Sequence, residues 1–319
     1  AISDQSIAKA VTILAAGQLV AFPTETVYGL GADATNAAAV ARIFAAKQRP
    51  AFNPLISHVA SADAAFALGQ KTPIAAALAN AFWPGPLTLI LQRNDDCPVA
   101  MLTTAGLDKI GVRVPAHHGA QTLLQAFGKP IAAPSANPSG RISPSTAKHV
   151  LDGLDGRLDL VLDGGSCESG LESTIIDCSG EVARLLRPGG ITRDAMAAAL
   201  AAANCNPQID IAEPLADHEN PIAPGQLASH YAPKAPVRLM AKTSTANEEL
   251  IGFGTVGGAG KLALNLSPSG DLVEAAANLF SMLHAVDAAD IAKIAIAPIP
   301  DIGLGEAIND RLRRAAAPR

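Results

Sequence analysis

The stretch Gln18-Leu-Val-Ala-Phe22-Pro-Thr-Glu-Thr-Val-Tyr-Gly-Leu-Gly31 gives the first indication of the fold. Its first five residues are mostly apolar, which predicts a short buried strand over residues 18–22. The next nine residues carry hydroxyl groups, a carboxylate and two glycines, so they predict a polar turn at the end of that strand. An alanine-rich segment with high helix propensity follows, and we expect a helix over residues 36–47 with the Asn36 side chain as its N-cap. This order predicts an α/β fold whose loops carry function.

Strand-like and helix-like stretches keep alternating after this opening. The pattern predicts helices over residues 61–68, 73–82, 118–127, 145–151 and 191–203, and strands over residues 87–92, 110–114, 131–133, 158–162, 173–177 and 182–186. Several of the strands are short and apolar, as expected for a sheet that is covered by helices. We therefore predict an α/β (α+β) domain with a largely buried sheet.

The composition changes after residue 204. Six prolines stand among polar residues over 206–236, and proline removes backbone donors and blocks regular structure. Beyond this segment we expect strands over residues 237–240, 249–253, 261–266 and 293–297, and helices over residues 272–286 and 306–316. The chain is therefore predicted to consist of a first domain (1–205), a proline-rich linker or lid (206–236) and a small Rossmann-like α/β domain (237–319).

The composition excludes several classes of protein. Of the 319 residues, 49% are hydrophobic and only 3% aromatic, which predicts a sizeable aliphatic core. A net charge of −5 argues against a non-specific nucleic-acid coat but permits a local basic pocket. The four cysteines form no C-x-x-C pair, so neither a disulfide framework nor a zinc site is indicated. No signal peptide or membrane span is predicted, and we expect a cytoplasmic protein.

None of the usual phosphate-binding motifs is complete in this sequence. Gly258-x-Gly260-x-x-Ala263 resembles a dinucleotide fingerprint, but a strand is predicted after it where a helix is required. Leu262 follows Lys261 where a Walker A loop needs a hydroxyl for magnesium. The remaining candidate, Gly29-x-Gly31, lacks an acidic residue about 20 positions further on. A nucleotide would therefore have to bind in another way.

Polar and basic residues recur at the ends of the predicted strands and helices. Singly, each has an ordinary explanation, because basic residues complement helix C-termini and Ser, Asn, Pro and Gly dominate turns. Arg113 lies in an apolar run and should have an anionic partner. Together the segments predict one cationic crevice for a polyanion such as a nucleoside triphosphate. The candidate charges are Lys47, Arg49, Arg113, Arg141 and Arg187.

Taken in order, these segments resemble the threonylcarbamoyl-AMP synthase family in its two-domain form. The resemblance covers essentially the whole chain, and it implies a YrdC-like twisted mixed sheet, flanked by helices, with a concave basic pocket. The matching segments are 22–31, the K-x-R of Lys47 and Arg49, Asn53-Pro-Leu with His58, 83–88, 111–115, the S-x-N of Ser135 and Asn137, 173–175, 186–189, 224–233 and 303–312.

The resemblance implies an enzyme, a nucleotidyltransferase that makes threonylcarbamoyl-AMP and pyrophosphate from L-threonine, bicarbonate and ATP. Magnesium is expected with the ATP. The product serves the modification of tRNA next to the anticodon, so the implied partners are tRNA threonylcarbamoyl-transfer proteins, with a weak tRNA contact. By the same resemblance, the residues that bind threonine are Thr26, His58, Arg113 and Ser173. Those that contact ATP are Lys47, Arg49, Asn53, Lys109, Ser135, Asn137, Ser145, Arg187, His230 and Tyr231, with Lys47 and Arg49 catalytic.

Two positions depart from the family pattern. Gln226-Leu227-Ala228-Ser229 stands where the family often has cationic residues, so a cationic contact from the linker is missing. Lys109 stands where threonine is common, which removes any hydroxyl contact there. Two alternative functions remain at this point. One is an RNA-binding YrdC-like module without synthase activity, and the other is a carbamoyl-transfer relative that uses carbamoyl phosphate.

Overall fold

The computed structural model describes residues 1–213, 221–226 and 229–318. The helices are α1 (Asp4–Ala15), α2 (Ala37–Lys47), α3 (Ala62–Phe66), α4 (Pro73–Phe82), α5 (His118–Phe127), α6 (Ala147–Leu154), α7 (Arg193–Ala202), α8 (Leu272–Ala288) and α9 (Leu304–Ala316). The strands are β1 (Val20–Phe22), β2 (Gly29–Asp33), β3 (Ile56–His58), β4 (Leu87–Gln92), β5 (Lys109–Arg113), β6 (Ile131–Ala132), β7 (Leu160–Val161), β8 (Thr174–Asp177), β9 (Ala183–Arg187), β10 (Ile209–Ile211), β11 (Val237–Arg238), β12 (Glu248–Ile251) and β13 (Lys293–Ile296).

The first domain is built on a mixed sheet of ten strands in the order β10-β9-β8-β4-β5-β3-β6-β2-β1-β7. Strand β3 runs parallel to β5 and antiparallel to β6, so both orientations meet at the centre. Successive residues of β1 belong to opposite clusters, because Val20 and Phe22 pack with α1 and α5 while Ala21 packs with the cluster that includes α2. The sheet is therefore covered on both faces, and the expected mixed sheet flanked by helices is confirmed.

Helix boundaries follow from side-chain caps. The Asn36 oxygen accepts hydrogen bonds from the backbone N–H groups of Ala38 and Ala39 at 3.0 and 3.2 Å, which caps α2 as predicted. Thr72 caps α4, whose first residue is proline. Thr192 caps α7. These caps fix where the loops between helix and strand begin.

The second domain is a three-stranded parallel sheet in the order β11-β13-β12, packed against α8 and α9. Its apolar core continues into the first domain, because Val27, Ile142 and Leu171 belong to the same cluster. Tyr231 and Ala235 of the linker belong to it as well. The two domains and the described part of the linker thus share one core. In the parts of the chain that the structure describes, no helix is both long and apolar enough to cross a membrane.

The structure differs from the sequence-based expectations in several places. Strand β3, at the centre of the sheet, was not predicted. Helix α1, with its capping box between Ser3 and Ser6, was not predicted. Strand β2 occupies the second half of the predicted polar turn. The predicted linker begins with β10, which pairs in parallel with β9 and extends the first sheet. The predicted strand over residues 261–266 is wrong, since this segment forms bends with one bridge at Asn265. Residues 214–220 and 227–228 of the predicted linker lie outside the described residues.

Candidate active site

A cavity of about 50 Å³ lies at the ends of β3, β5 and β9, beneath the linker. Strand β3 ends at His58, β5 at Arg113 and β9 at Arg187, and all three side chains line the cavity. Residues predicted from sequence converge here from eight segments of the chain. The predicted site residues that line the cavity are Thr26, Arg49, His58, Arg113, Ser135, Ser173, Arg187, His230 and Tyr231.

One wall of the cavity is organised around Arg113. Its Nη2 donates to Glu25 Oε1 at 2.7 Å, its Nη1 to Thr26 Oγ1 at 3.0 Å and its Nε to the Gly85 carbonyl at 3.3 Å. Burial alone raises the pKa of Glu25, but attraction to Arg113 and hydrogen bonds to the carboxylate outweigh it and lower the pKa. Glu25 is therefore the anionic partner that the apolar setting of Arg113 required.

His58 lies beside Arg113, because the two residues are paired in the register of parallel strands β3 and β5. Burial, followed by the charge of Arg113, lowers the pKa of His58 to about 3. The ring is thus neutral at neutral pH. Its Nδ1 is buried and has no partner among the described residues, so it is available to a ligand in the cavity.

Ser173 links the two sides of the cavity. Its hydroxyl lies 2.7 Å from that of Thr88. Its carbonyl accepts from Nε and Nη2 of Arg187 at 3.1 and 2.9 Å, and its hydroxyl lies 3.2 Å from the same Nη2. The Arg187 fork is therefore held against the loop that leads into β8.

Buried cations form the opposite side. Lys47 is 1% exposed, and its Nζ donates to the carbonyls of Ser135, at 2.6 Å, and Asn137. Arg49 donates to Asn53 Oδ1 at 2.6 Å and to the carbonyl of Pro54 at 2.9 Å. Burial, and then repulsion from Arg49, lowers the pKa of Lys47, and burial lowers the pKa of Arg49 to about 9.

Lys47, Arg49 and Arg187 form no ion pair within the described ranges. Burial of a cation without an anionic partner is costly. Carbonyl and hydroxyl oxygens satisfy part of the hydrogen bonding here. Of the three, Arg187 has the Glu172 carboxylate within electrostatic reach, whereas the charges of Lys47 and Arg49 stay uncompensated. The arrangement therefore favours an anionic ligand.

The linker closes the cavity. His230 and Tyr231 lie ring to ring at 4.1 Å, and both are buried. Neither His230 Nδ1 nor the Tyr231 hydroxyl has a partner in the described structure. Gly225 has a φ of +85°, and a Cβ there would lie 2.7 Å from Cδ of Arg187 and 2.8 Å from the Tyr231 hydroxyl. Glycine is therefore needed where the linker contacts the Arg187 side chain.

Several predicted site residues lie outside the cavity lining. Lys47 and Asn53 stand behind it, where they hold the segments that carry Ser135 and Arg49. The Asn137 amide donates to the carbonyl of Arg141 at 2.8 Å and thereby shapes the turn that follows Ser135. The Arg141 side chain itself is exposed. These residues support the site without facing its interior.

Two further residues are more distant. Lys109 lies at the start of β5, four residues from Arg113, and its Nζ pairs with Asp177 at 2.8 Å. Ser145 lies at the interface between the domains, where its hydroxyl is 3.1 Å from that of Ser281 and 3.3 Å from Nδ1 of His149. The structure does not bring either side chain to the cavity.

Sequence reasoning missed several residues of the site. Glu172 lines the cavity and directly precedes the Ser-Thr-Ile segment. Thr24 lines it too, with its hydroxyl 2.8 Å from that of Thr26. Arg311 of α9 pairs with Glu172 at 2.7 Å. Thr24 and Arg311 lie inside the matching segments 22–31 and 303–312 and Glu172 directly precedes 173–175, so the motifs marked these regions without giving the three side chains a role.

In the second domain, N–H groups of the glycine-rich loop are hydrogen-bonded to a carboxylate of the same domain. Both oxygens of the Glu249 carboxylate accept from the Leu262 N–H, at 2.9 and 3.1 Å, and Oε1 accepts from the Ala263 N–H at 2.7 Å. A Cβ at Gly260 would lie 2.4 Å from the same carboxylate. The N–H groups of Leu262 and Ala263 are thus already taken, which agrees with the rejection of this motif above.

The fold and the cavity together define a class of protein, a two-domain chain in which a linker closes a cationic pocket of the first domain. Residues 12–189 match the family model for Sua5, YciO and YrdC proteins, which carries the description telomere recombination. Residues 191–317 match the family model described as threonylcarbamoyl-AMP synthase, C-terminal domain. The chain belongs to the threonylcarbamoyl-AMP synthase family, as the resemblance of its motifs implied.

Individual relatives extend over the full length. The chain is 40% identical to threonylcarbamoyl-AMP synthase of Bacillus subtilis strain 168, over 99% of this chain and 94% of that protein. It is 40% identical to threonylcarbamoyl-AMP synthase of Pyrococcus abyssi, over 100% and 96%. The crystal structure of Pyrococcus abyssi Sua5 complexed with L-threonine superimposes with a TM-score of 0.88 at 37% identity, covering 99% of this chain and 95% of that one. Both domains and their arrangement are thus similar to those of a threonine-bound protein.

Proposed function

We propose that this chain is an L-threonylcarbamoyladenylate synthase, a nucleotidyltransferase that forms threonylcarbamoyl-AMP and pyrophosphate from L-threonine, bicarbonate and ATP. Family membership over the whole chain supports the proposal. The observation that carries it is one cavity with two unlike halves. Arg113 and neutral His58 suit an amino acid on one side, and the buried cations Arg49 and Arg187, which form no ion pair within the described residues, suit a triphosphate on the other.

The amino-acid half has capacity for a carboxylate. Three of the five N–H groups of the Arg113 guanidinium are used by Glu25, Thr26 and Gly85. The other two remain for the threonine carboxylate, and a planar guanidinium binds both oxygens of such a group well. His58 Nδ1 and the hydroxyls of Thr26 and Ser173 are the further contacts that we propose for threonine.

The chemistry requires positioning rather than a covalent intermediate on the protein. The threonine amine and bicarbonate give a carbamate and water. A carbamate oxygen then forms a bond to the α-phosphorus of ATP, the bond to the bridging oxygen breaks, and pyrophosphate leaves. Arg49 and Arg187 would stabilise the charge on the phosphate oxygens, while Lys47 holds the Ser135 loop and adds positive potential.

Magnesium is expected to arrive with ATP. In the described ranges, no group of three or more His, Cys, Asp or Glu side chains could hold a metal ion. Glu172, which lines the cavity, has its oxygens engaged by Ser143 and Arg311. The protein's carboxylates thus do not fit a resident magnesium site, and we assign the ion to the substrate.

The linker acts as a lid in this proposal. A cavity of about 50 Å³ has room for a few water molecules only, so ATP and threonine require the linker to move. His230 and Tyr231 would then contact the bound nucleotide. A chain of residues 1–212 keeps β10 and every strand of the first sheet, and we expect it to be soluble with reduced activity. Full activity of that shorter chain would contradict the role of the lid.

The product would pass to the proteins that transfer threonylcarbamoyl to tRNA, in the cytoplasm. The direct test is mass spectrometry of the product formed from ATP, L-threonine and isotopically labelled bicarbonate. We expect an adenylate that carries the label, together with pyrophosphate. Salt-sensitive RNA binding without turnover of ATP would favour an RNA-binding module instead. Labelled product from carbamoyl phosphate but not from bicarbonate would indicate carbamoyl transfer.

A further inference from the structure

The second domain contacts residues that line the cavity, and Arg311 is the charged side chain that does so. Arg311 of α9 is 1% exposed, and its Nε donates to Glu172 Oε2 at 2.7 Å. Its Nη1 donates to Asp310 at 2.7 Å, and its guanidinium carbon lies 5.1 Å from the centre of the Tyr231 ring. Arg311 does not line the cavity, but it contacts one lining residue from the first domain and one from the linker.

The contact with Arg311 affects the charge balance around Glu172. Burial alone raises the pKa of Glu172, but Arg311 and then Arg187 lower it, so the carboxylate is ionised. The oxygen that Arg311 leaves free accepts from the Ser143 hydroxyl. Glu172 is thus within electrostatic reach of two arginines, and Arg311 holds the carboxylate by a direct hydrogen bond.

Loss of Arg311 would leave the negative charge of Glu172 to Arg187 alone. Arg187 is the cavity-lining cation whose described hydrogen bonds go to Ser173, with the Tyr231 hydroxyl close by. A carboxylate paired with Arg187 would compete with an incoming phosphate for the same N–H groups. The Tyr231 ring would also lose the cation that lies over it.

We propose that Arg311 is a positioning residue for the nucleotide half of the cavity. It binds Glu172 and Tyr231 so that Arg187 stays available to the triphosphate, and it adds a charge to the support that Phe280 and the Arg314 carbonyl already give to Tyr231 and His230. The inference rests on the proposed function for the identity of the anion. It makes a prediction that a purely structural role does not, since removal of the Glu172 charge should compensate for the loss of Arg311.

The test compares Arg311→Gln with the double variant Arg311→Gln/Glu172→Gln. Affinity for a non-hydrolysable ATP analogue is measured by calorimetry, and kcat and KM for ATP and threonine are measured separately. We expect Arg311→Gln to weaken analogue binding by roughly tenfold or more, on the scale of a lost charge-assisted contact, with KM for threonine little changed. The double variant should regain most of that loss.

Arg193→Gln is the matched control. Arg193 also joins the two domains through an ion pair, with Glu306 at 2.5 Å, but it is 40% exposed and does not line the cavity. We expect its binding and kinetics to equal those of the wild type. Should Arg311→Gln not fold, the double variant Arg311→Gln/Glu172→Gln is compared with wild type instead, because it removes both buried charges together. Analogue binding close to that of wild type is then expected, and a loss of about tenfold would overturn the inference.

The inference is overturned if the Arg311 variant binds the analogue like wild type, or if the double variant binds no better than the single one. A wild-type chain that binds the analogue but forms no labelled adenylate refutes the proposed function alone. The binding comparison between the variants still decides the role of Arg311 in that case.

Discussion

Replacement of Arg49 by methionine should separate activity from stability. Methionine fills much of the same volume but removes the cation that faces the cavity. Loss of one preorganised charge at a reacting centre costs about 2.7–4 kcal/mol, which corresponds to a factor of about 10²–10³ in kcat. We therefore expect adenylate formation by Arg49→Met to fall by that factor.

Stability should respond much less, because two effects oppose each other. The fall in the pKa of Arg49 to about 9 from 12.5 corresponds to roughly 5 kcal/mol against the charged form, and the substitution relieves this cost. The same substitution leaves oxygens of Asn53 and Pro54 without their donor, at about 1–3 kcal/mol each. Three oxygens are affected, so this second cost is about 6 kcal/mol at the middle of its range, which nearly offsets the first. The net change in the free energy of unfolding should therefore be about 1 kcal/mol.

The assay is the initial rate of pyrophosphate release with ATP, threonine and bicarbonate, alongside a urea unfolding curve. Arg42→Met is the control, since Arg42 lies on α2, the helix that ends just before Arg49, but is half-exposed and pairs with Asp159 at 3.5 Å on the surface. A rate for Arg49→Met close to that of wild type, or an equal loss in Arg42→Met, would refute the assignment of Arg49 to the phosphate side.

A further prediction concerns the linker. Gly225→Ala places a methyl group 2.7 Å from the Arg187 side chain at a positive φ, so we expect at least a several-fold loss in kcat/KM, whereas Gly257→Ala, which meets open space, should have no effect.

Local features of the fold were predictable because their causes are local. Asn36 caps α2 in the structure as the sequence indicated, since a side-chain oxygen before a helical segment satisfies free N–H groups within three residues. Strand β2 escaped prediction because Gly29 and Gly31 are weak strand formers. Their suitability depends on distant neighbours, and a Cβ at Gly31 would lie 2.8 Å from the Phe22 ring and 2.9 Å from Ile131.

The sequence could predict that a buried charge in the site needs a partner of opposite charge. It could not predict which residue supplies that partner, because this depends on the folded structure. The need of Arg113 for an anion followed from its apolar surroundings, but the choice of Glu25 requires the folded loop. Lys109 faces the same side of β5 as Arg113, yet four residues of strand separate them by about 13 Å, which motif spacing does not reveal. Arg311 reaches Glu172 across 139 positions of sequence, a contact that only the folded pair of domains creates.

The carboxylate of Glu249 has a bearing on how ligand uptake by the whole molecule is measured. This side chain accepts hydrogen bonds from the Leu262 and Ala263 N–H groups of the glycine-rich loop. We therefore expect no phosphate to bind to this loop of the small Rossmann-like domain. ATP titrated into the intact protein should consequently saturate at one equivalent per chain. The heat or fluorescence recorded in such a titration then reports on binding to the cavity of the first domain, with no contribution from a second nucleotide site.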